Sequence, residues 1–241
     1  MKGGILLSIA HHGDRFTKDI DFSVSGAVAD LPVETVIDEL RVRLIESVEE
    51  LEYDVDCRIQ SHELRPPDPK KNWPTLIMRV GYAPYSDRRR HSRLMLGQSP
   101  TVVRVECSYN ESILFFEALQ FAPGRVINAY ALVDVIAEKL RALIQQPVRD
   151  RFRRQDVYDL YKILKEYGEP SGDSSNQILE SLKQKASSRN ITVTKETLRS
   201  SEIKKRAAQD YHHLTPEIQG VLPPFEKAYK QVRLFYEGLP W

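Results

Sequence analysis

Apolar and polar residues alternate along several short runs in the first half of the chain, and this period of two predicts β-strands. The runs lie at residues 19–24, 53–60, 75–82 and 101–109. Residues 32–53 instead carry apolar side chains at helical spacing, and Pro32 suits the start of a helix. A Pro-rich stretch at 65–74 and an Arg-rich stretch at 83–93 predict loops between the later strands. The first half is therefore predicted to be mixed α/β.

The second half carries apolar residues at helical spacing almost throughout. Residues 131–146 and 153–168 predict two strong helices that stop at Pro147 and Gly168. Further helices are predicted around 176–187, 194–210 and 224–238. The change of pattern near residue 130 predicts an α/β domain over residues 1–130 and a helical domain over residues 131–241.

Composition places the chain among globular proteins and limits its partners. The apolar fraction is 41% and the charged fraction 29%, and no apolar run approaches the roughly 20 residues that cross a bilayer. Cys57 and Cys107 are too few for a disulfide framework, so we expect a cytoplasmic protein without a membrane partner. The net charge of +1 means that nucleic-acid binding would depend on local basic patches.

Two acidic residues on the first predicted strand are the first candidates for chemistry. Asp19 and Asp21 are two positions apart, so their side chains leave the same face, while Ile20 and Phe22 take the other. Neighbouring carboxylates repel each other unless a cation binds them, and hard oxygen ligands of this kind suit Mg²⁺. The alternative is a pair of solvated acids at the end of a strand.

A third acid, Glu106, lies on the polar face of the run 101–109. If that strand neighbours 19–24, Glu106 can complete the metal cluster or act as the general base on an attacking hydroxyl. The alternative is an exposed carboxylate on a strand.

Candidate phosphate-binding groups lie elsewhere in the chain. Gly3 and Gly4 precede a possible short helix, where backbone N–H groups can approach phosphates, although the segment can equally be an ordinary terminus. Lys139 lies off the centre of the apolar stripe of helix 131–146; it could reach a triphosphate or simply lie on the surface. Asp156 and Asp159 are one helical turn apart near the start of helix 153–168, where acids also support the helix electrostatically.

The Arg-rich loop is a candidate RNA contact. It carries Arg88, Arg89, Arg90 and Arg93, and a cluster of this kind can bind an RNA backbone or be the solvated tip of a hairpin.

Four segments in succession resemble the motifs of the AbiEii-type abortive-infection nucleotidyltransferase toxins. They read "KGG…RFTKDIDF", "VRVECSYNE", "LVDVIAEKLRAL" and "RFRRQDVYDLYKIL" and together span residues 2–166. The resemblance implies a polymerase-β-like α/β (α+β) fold, with a mixed sheet, flanking helices and a helical second half that completes the active-site cleft. It further implies an NTP substrate, Mg²⁺ held by Asp19 and Asp21, and catalytic or nucleotide-contacting roles for Lys139 and Asp156. Members belong to toxin–antitoxin operons and some transfer nucleotides to tRNA, so a tRNA acceptor and a cognate antitoxin are expected partners.

The chain departs from the family pattern in three places. Ile5 stands where members usually carry Ser or Thr after the glycines, Glu106 stands where Asp is common, and members often carry a further segment before the glycines. The first departure predicts weaker nucleotide binding. Two other functions stay open at this point: a non-catalytic nucleotide- or RNA-binding member of the fold, and a small-molecule adenylyltransferase that modifies antibiotics.

Overall fold

A computed structural model describes residues 1–68 and 73–241, and these form nine α-helices and six β-strands. In chain order they are α1 (Gly3–Ala10), β1 (Asp19–Ser23), α2 (Val33–Glu50), β2 (Asp56–Arg65), β3 (Thr75–Ala83), α3 (Arg88–Met95), β4 (Val102–Ser108), β5 (Phe116–Ala122), β6 (Arg125–Tyr130), α4 (Leu132–Ile144), α5 (Gln146–Arg149), α6 (Arg154–Tyr167), α7 (Asp173–Ser188), α8 (Ser201–Ala208) and α9 (Phe225–Gly238). The predicted order, mixed α/β followed by a mostly helical half, is confirmed. No helix in the described ranges is long and apolar enough to cross a membrane.

The chain packs into two compact units. One comprises Met1–Thr17 together with Ser112–Trp241, which we call the helical unit, and the other comprises Lys18–Glu111, which we call the sheet unit. The division into a catalytic and a helical domain at residue 130 stays a prediction.

The sheet unit is built on four strands in the order β1-β4-β3-β2. β1 runs parallel to β4, whereas the other two pairings are antiparallel. α2 packs against one face, where Ile37 joins Leu76 and Met78 in a buried core. Because side chains alternate along a strand, the opposite face carries the polar residues of these strands. They include Asp19, Asp21, Thr75, Arg79, Arg104, Glu106 and Ser108.

The two predicted loops have different outcomes. The prediction of an Arg-rich loop over 83–93 is wrong from residue 88 onward, because residues 88–93 belong to α3. The Asp87 side chain caps the helix by accepting a hydrogen bond from the Arg90 N–H at 3.0 Å, and the helix buries Leu94. Because Leu94 is the one residue that this eight-residue helix buries, the sequence shows no apolar side chains at helical spacing here. The centre of the Pro-rich loop predicted over 65–74, residues 69–72, lies outside the described residues.

The helical unit has one apolar core. α4 packs along α7, and α6 packs along α9, with Leu140, Leu160, Leu182 and Val232 fully buried. Leu6 and Leu7 anchor α1 in the same core. The β5–β6 hairpin also belongs to this unit and was not predicted, because apolar residues occur on both of its faces and blur the alternation expected of a strand.

Candidate functional site

The sheet unit gathers the three candidate metal ligands on its polar face. Ile20 and Phe22 pack into the core beneath the sheet, so Asp19 and Asp21 leave the opposite face together. The parallel pairing of β1 with β4 sets Asp21 directly beside Glu106 and Asp19 beside Arg104. This arrangement depends on two strands that lie more than 80 residues apart in sequence, and it fulfils the condition under which Glu106 was expected to join the pair.

The chemistry of this donor set fits a magnesium ion held mainly by the two aspartates. The Glu106 carboxylate is engaged by Arg104, with 2.5 Å between Nη2 and Oε1. Within the described ranges no three His, Cys, Asp or Glu side chains form a ready metal cage. Mg²⁺ is usually bound by one or two carboxylates together with substrate phosphates and water, not by an all-protein cage. A pair of aspartates on a rigid strand meets that requirement.

In the helical unit Gly3 and Gly4 form the first turn of α1, whereas the sequence predicted them ahead of the helix. Gly3 has φ of +77°, a conformation that favours glycine. A Cβ atom at Gly4 would lie 3.0 Å from Nη2 of Arg15 and 3.2 Å from the Thr17 side chain. No side chain caps this helix at Lys2. The N–H groups in the first turn of a helix are natural partners for an anion.

A buried ion network in the same unit contains Lys139 and Asp156. The Lys139 ammonium donates to Asp156 Oδ1 at 3.0 Å and to Asp159 Oδ2 at 2.7 Å. Asp159 also accepts two hydrogen bonds from Arg15, from Nε and from Nη2, each at 2.9 Å. The side chains of Lys139, Asp156 and Asp159 are all less than a tenth exposed.

Electrostatics favour the ionised forms of Asp159 and Lys139. Burial by itself raises the pKa of Asp159, but Lys139 and Arg15 outweigh that effect and leave the pKa below its ordinary value. Burial likewise lowers the pKa of Lys139, but the carboxylates of Asp159 and Asp156 outweigh it and raise the pKa. Lys139 and Asp159 are therefore charged at neutral pH.

The network corrects one sequence-based interpretation and adds two residues. Lys139 is not a surface lysine, because the i,i+3 pair of acids on α6 draws its ammonium into the interior. Asp159 carried a signal in the sequence, its position one turn after Asp156, but it was not assigned a role. Arg15 carried none, since its partner lies 144 residues away.

One carboxylate oxygen of the network has no hydrogen-bond donor among the described residues. It is Asp156 Oδ2, which is buried and has Arg153 Nη1 at 3.9 Å. An open depression of about 420 Å³ in the same unit is lined by Gly4, Arg15 and Asp159, among others. Gly4 of the glycine turn and Arg15 and Asp159 of the ion network thus border one depression.

The candidate RNA contact is a helix surface. Arg88, Arg89, Arg90 and Arg93 are exposed on α3. Arg90 pairs with Asp87 at 3.3 Å, whereas no ion pair joins the other three to an acid in the described part of the chain. A helix fixes the directions of these side chains more firmly than the predicted loop would.

Comparisons with known proteins show the family and the fold of the chain. A family model described as nucleotidyl transferase AbiEii toxin, type IV TA system, matches residues 1–231. Among solved structures the chain is similar to MenT4, a nucleotidyltransferase toxin from Mycobacterium tuberculosis, with 16% identity and a TM-score of 0.50 over 99% of this chain and 75% of that chain. At that identity the likeness shows the fold alone, which is the polymerase-β-like nucleotidyltransferase fold. No curated protein sequence matches the chain.

Proposed function

The chain belongs to the nucleotidyl transferase AbiEii toxin family, and from that membership we propose that it is a Mg²⁺-dependent enzyme that transfers a nucleoside monophosphate from an NTP to an RNA acceptor such as tRNA. The resemblance found in the sequence is confirmed: the chain is a nucleotidyltransferase toxin of a type IV toxin–antitoxin system, which implies an NTP substrate and an antitoxin counterpart. The observation that carries the proposal is the pair of aspartates on one strand face with Glu106 in register beside them.

In the proposed reaction an acceptor hydroxyl attacks the α-phosphorus of the NTP. The new P–O bond forms as the bond from the α-phosphorus to the bridging oxygen breaks, and pyrophosphate leaves. Asp19 and Asp21 would hold Mg²⁺, which when bound neutralises the charge that develops on the phosphoryl oxygens. Glu106 would act either as a further ligand of the metal or as the base that takes the hydroxyl proton. The ion pair with Arg104 orients the Glu106 carboxylate.

The helical unit supplies the groups that we propose for nucleotide binding. The N–H groups of Gly3 and Gly4 would bind phosphate oxygens. Lys139 would contribute a fixed positive charge, since its ammonium is held at two carboxylates. Asp156 would position the nucleotide through Lys139, because it accepts a hydrogen bond from the Lys139 ammonium at 3.0 Å.

The arginines of α3 are proposed to contact the acceptor. Arg88, Arg89 and Arg93 are exposed cations on one short helix, and phosphate contacts of this kind dominate affinity for nucleic acids. The small net charge of the whole chain makes such a local patch necessary.

The direct test is to incubate the protein with each labelled NTP, Mg²⁺ and total tRNA. We expect label to enter tRNA only when Mg²⁺ is present. Label on an aminoglycoside added to the mixture, with none on tRNA, would favour the small-molecule adenylyltransferase. Nucleotide binding without any product would favour the non-catalytic binding module.

Restoring a hydroxyl after the glycines should strengthen nucleotide binding. Ile5 lies in the first turn of α1, where Ser can donate to a phosphate oxygen. A hydrogen bond to a charged group is worth about 1.5–3 kcal/mol, or roughly a tenfold to a hundredfold in affinity. Calorimetric titration with each NTP and Mg²⁺ should therefore show tighter binding by Ile5→Ser than by the wild type, which itself should bind measurably.

Ile9→Ser is the matched control, because Ile9 lies on the same helix and is half exposed, but at the far end from the glycines. Its affinity should equal that of the wild type. Equal affinities for Ile5→Ser and the wild type would mean that the glycine turn does not bind the phosphates. If none of the three proteins binds an NTP at millimolar concentration, the enzyme proposal gives way to the binding module.

A further inference from the structure

The polar face of the sheet unit carries a row of charges across its central strands. Arg79 on β3 lies directly opposite Arg104 on β4, and Arg104 lies beside Asp19 on β1. Cβ atoms at directly opposed positions of an antiparallel pair are about 4.5–5.5 Å apart, and like charges there destabilise the sheet. Two facing arginines beside the candidate metal ligands therefore call for an explanation.

Only one of the two arginines is compensated by an acid. Arg104 pairs with Glu106 on its own strand. Arg79 is exposed, and among the described residues it has neither an ion-pair nor a hydrogen-bond partner. The row thus presents one unneutralised guanidinium next to a second whose charge is shared with Glu106.

α3 covers the neighbouring part of the same face. Gly81 follows Arg79 by two residues, and a Cβ there would meet the side chains of Gln60 and Ser99. The Gln60 amide donates to the carbonyl of Leu94 at 3.2 Å, which fixes the end of α3 over this position. His91 of α3 also contacts the buried Asp56 at 3.0 Å.

The order along β3 places the arginine row, which ends at Asp19, between the helix on one side and Asp21 and Glu106 on the other. Ile77 is opposite Glu106, Arg79 is opposite Arg104, and Gly81 lies next to α3. Successive positions on one face are about 6.7 Å apart. One side of the sheet therefore carries exposed arginines from α3 to Arg79 in the row, and Asp19 and Asp21 lie at the other end of this surface.

We propose that Arg79 and Arg104 bind a backbone phosphate near the 3′ end of a single RNA strand, whose preceding nucleotides lie along α3. This inference rests on the proposed function, because the strand is the acceptor and its terminal hydroxyl would lie at the carboxylates. An RNA strand carries one phosphate per nucleotide, and the arginines from the row to α3 are spread over the surface in a way that can contact successive phosphates. The guanidinium is suited to this contact because it donates to two phosphate oxygens at once.

Arg79→Gln tests the proposal. The Arg79 side chain forms no ion pair or hydrogen bond with another described residue, so its removal disturbs no contact of this kind, whereas Arg104 also pairs with Glu106. Binding of a short single-stranded RNA is measured by fluorescence anisotropy over a range of salt concentrations, without NTP or Mg²⁺. We expect the affinity to fall about threefold to tenfold and the log–log salt slope to flatten by about 0.7, the value for one lost contact with a single strand. NTP binding, measured by calorimetry without RNA, should not change.

Arg41→Gln is the matched control, since Arg41 is an exposed arginine on α2, which packs on the other face of the same sheet. It should leave both the affinity and the slope as in the wild type. The proposal is overturned if Arg79→Gln behaves like Arg41→Gln, if the wild type binds no RNA, or if Arg79→Gln weakens NTP binding as much as RNA binding. A wild type that binds RNA through Arg79 but transfers no nucleotide would refute the proposed function and support this inference.

Discussion

Asp21→Asn is expected to lower nucleotidyl transfer by about a thousandfold or more while the protein stays folded. A metal ion in phosphoryl transfer supplies several kcal/mol of charge stabilisation in the transition state, and about 4 kcal/mol corresponds to roughly 10³ in rate. Asparagine keeps the size of the side chain but removes the negative charge that holds the cation. Asp19→Asn should behave in the same way, because both aspartates lie on one face of β1.

The measurement is the initial rate of label transfer at saturating NTP, as a function of Mg²⁺ concentration. Asp38→Asn serves as the control, since Asp38 is an exposed acid paired with Arg41 on the other side of the sheet unit. It should retain the wild-type rate. Wild-type activity in Asp21→Asn, with melting temperatures equal in all variants, would show that β1 does not hold the catalytic metal.

Lys139→Met should lower the free energy of unfolding by about 3–5 kcal/mol, which is the usual cost of removing one partner from a buried ion pair. The change leaves both carboxylates in the interior: Asp159 keeps its two hydrogen bonds from Arg15, whereas Asp156 loses the ammonium that donates to it. The sequence left open that Lys139 lies on the surface, where it would be expected to contribute little to folding. The burial of its ammonium overturns that expectation.

The loss of stability should depend on pH in a defined direction. The folded-state pKa of Asp159 is lowered, so its contribution is present above the ordinary aspartate pKa of about 3.9 and is lost as the pH falls through the folded value. The pKa of Lys139 is raised, so its contribution is present below about 10.4 and is lost as the pH rises through the folded value. The difference between wild type and Lys139→Met should therefore be largest between these limits and shrink in acid.

Urea unfolding at several pH values measures this difference. Lys204→Met is the control, because Lys204 also pairs with a carboxylate, that of Glu226, but both side chains are exposed. Its cost should be within about 1 kcal/mol, as for other surface ion pairs. If Lys139→Met is no less stable than Lys204→Met at neutral pH, then the buried network does not stabilise the helical unit, and Lys139 is held there by something other than its ion pairs.

Local patterns in the sequence were enough to predict the elements that bury a continuous apolar face. The alternation in β1, β3 and β4 and the helical spacing in α2, α4 and α6 each follow from one buried side, so the period is visible within a single segment. The pattern failed for α3 and for the β5–β6 hairpin. α3 is anchored by one leucine and by the Asp87 cap, and the hairpin exposes Phe116 and Val126.

The sequence by itself also determined which groups are available for chemistry: a pair of aspartates on one strand face, two glycines at a helix start, and a lysine and an aspartate on successive helices. Only the tertiary structure decided their partners. The register of β1 against β4 set Glu106 beside Asp21 and Arg104 beside Asp19. The packing of α4, α6 and the segment between α1 and β1 joined Lys139, Asp159 and Arg15 in one network. The physical reason is that strand register and the pairing of buried charges depend on residues far apart in the chain, whose proximity no local period encodes.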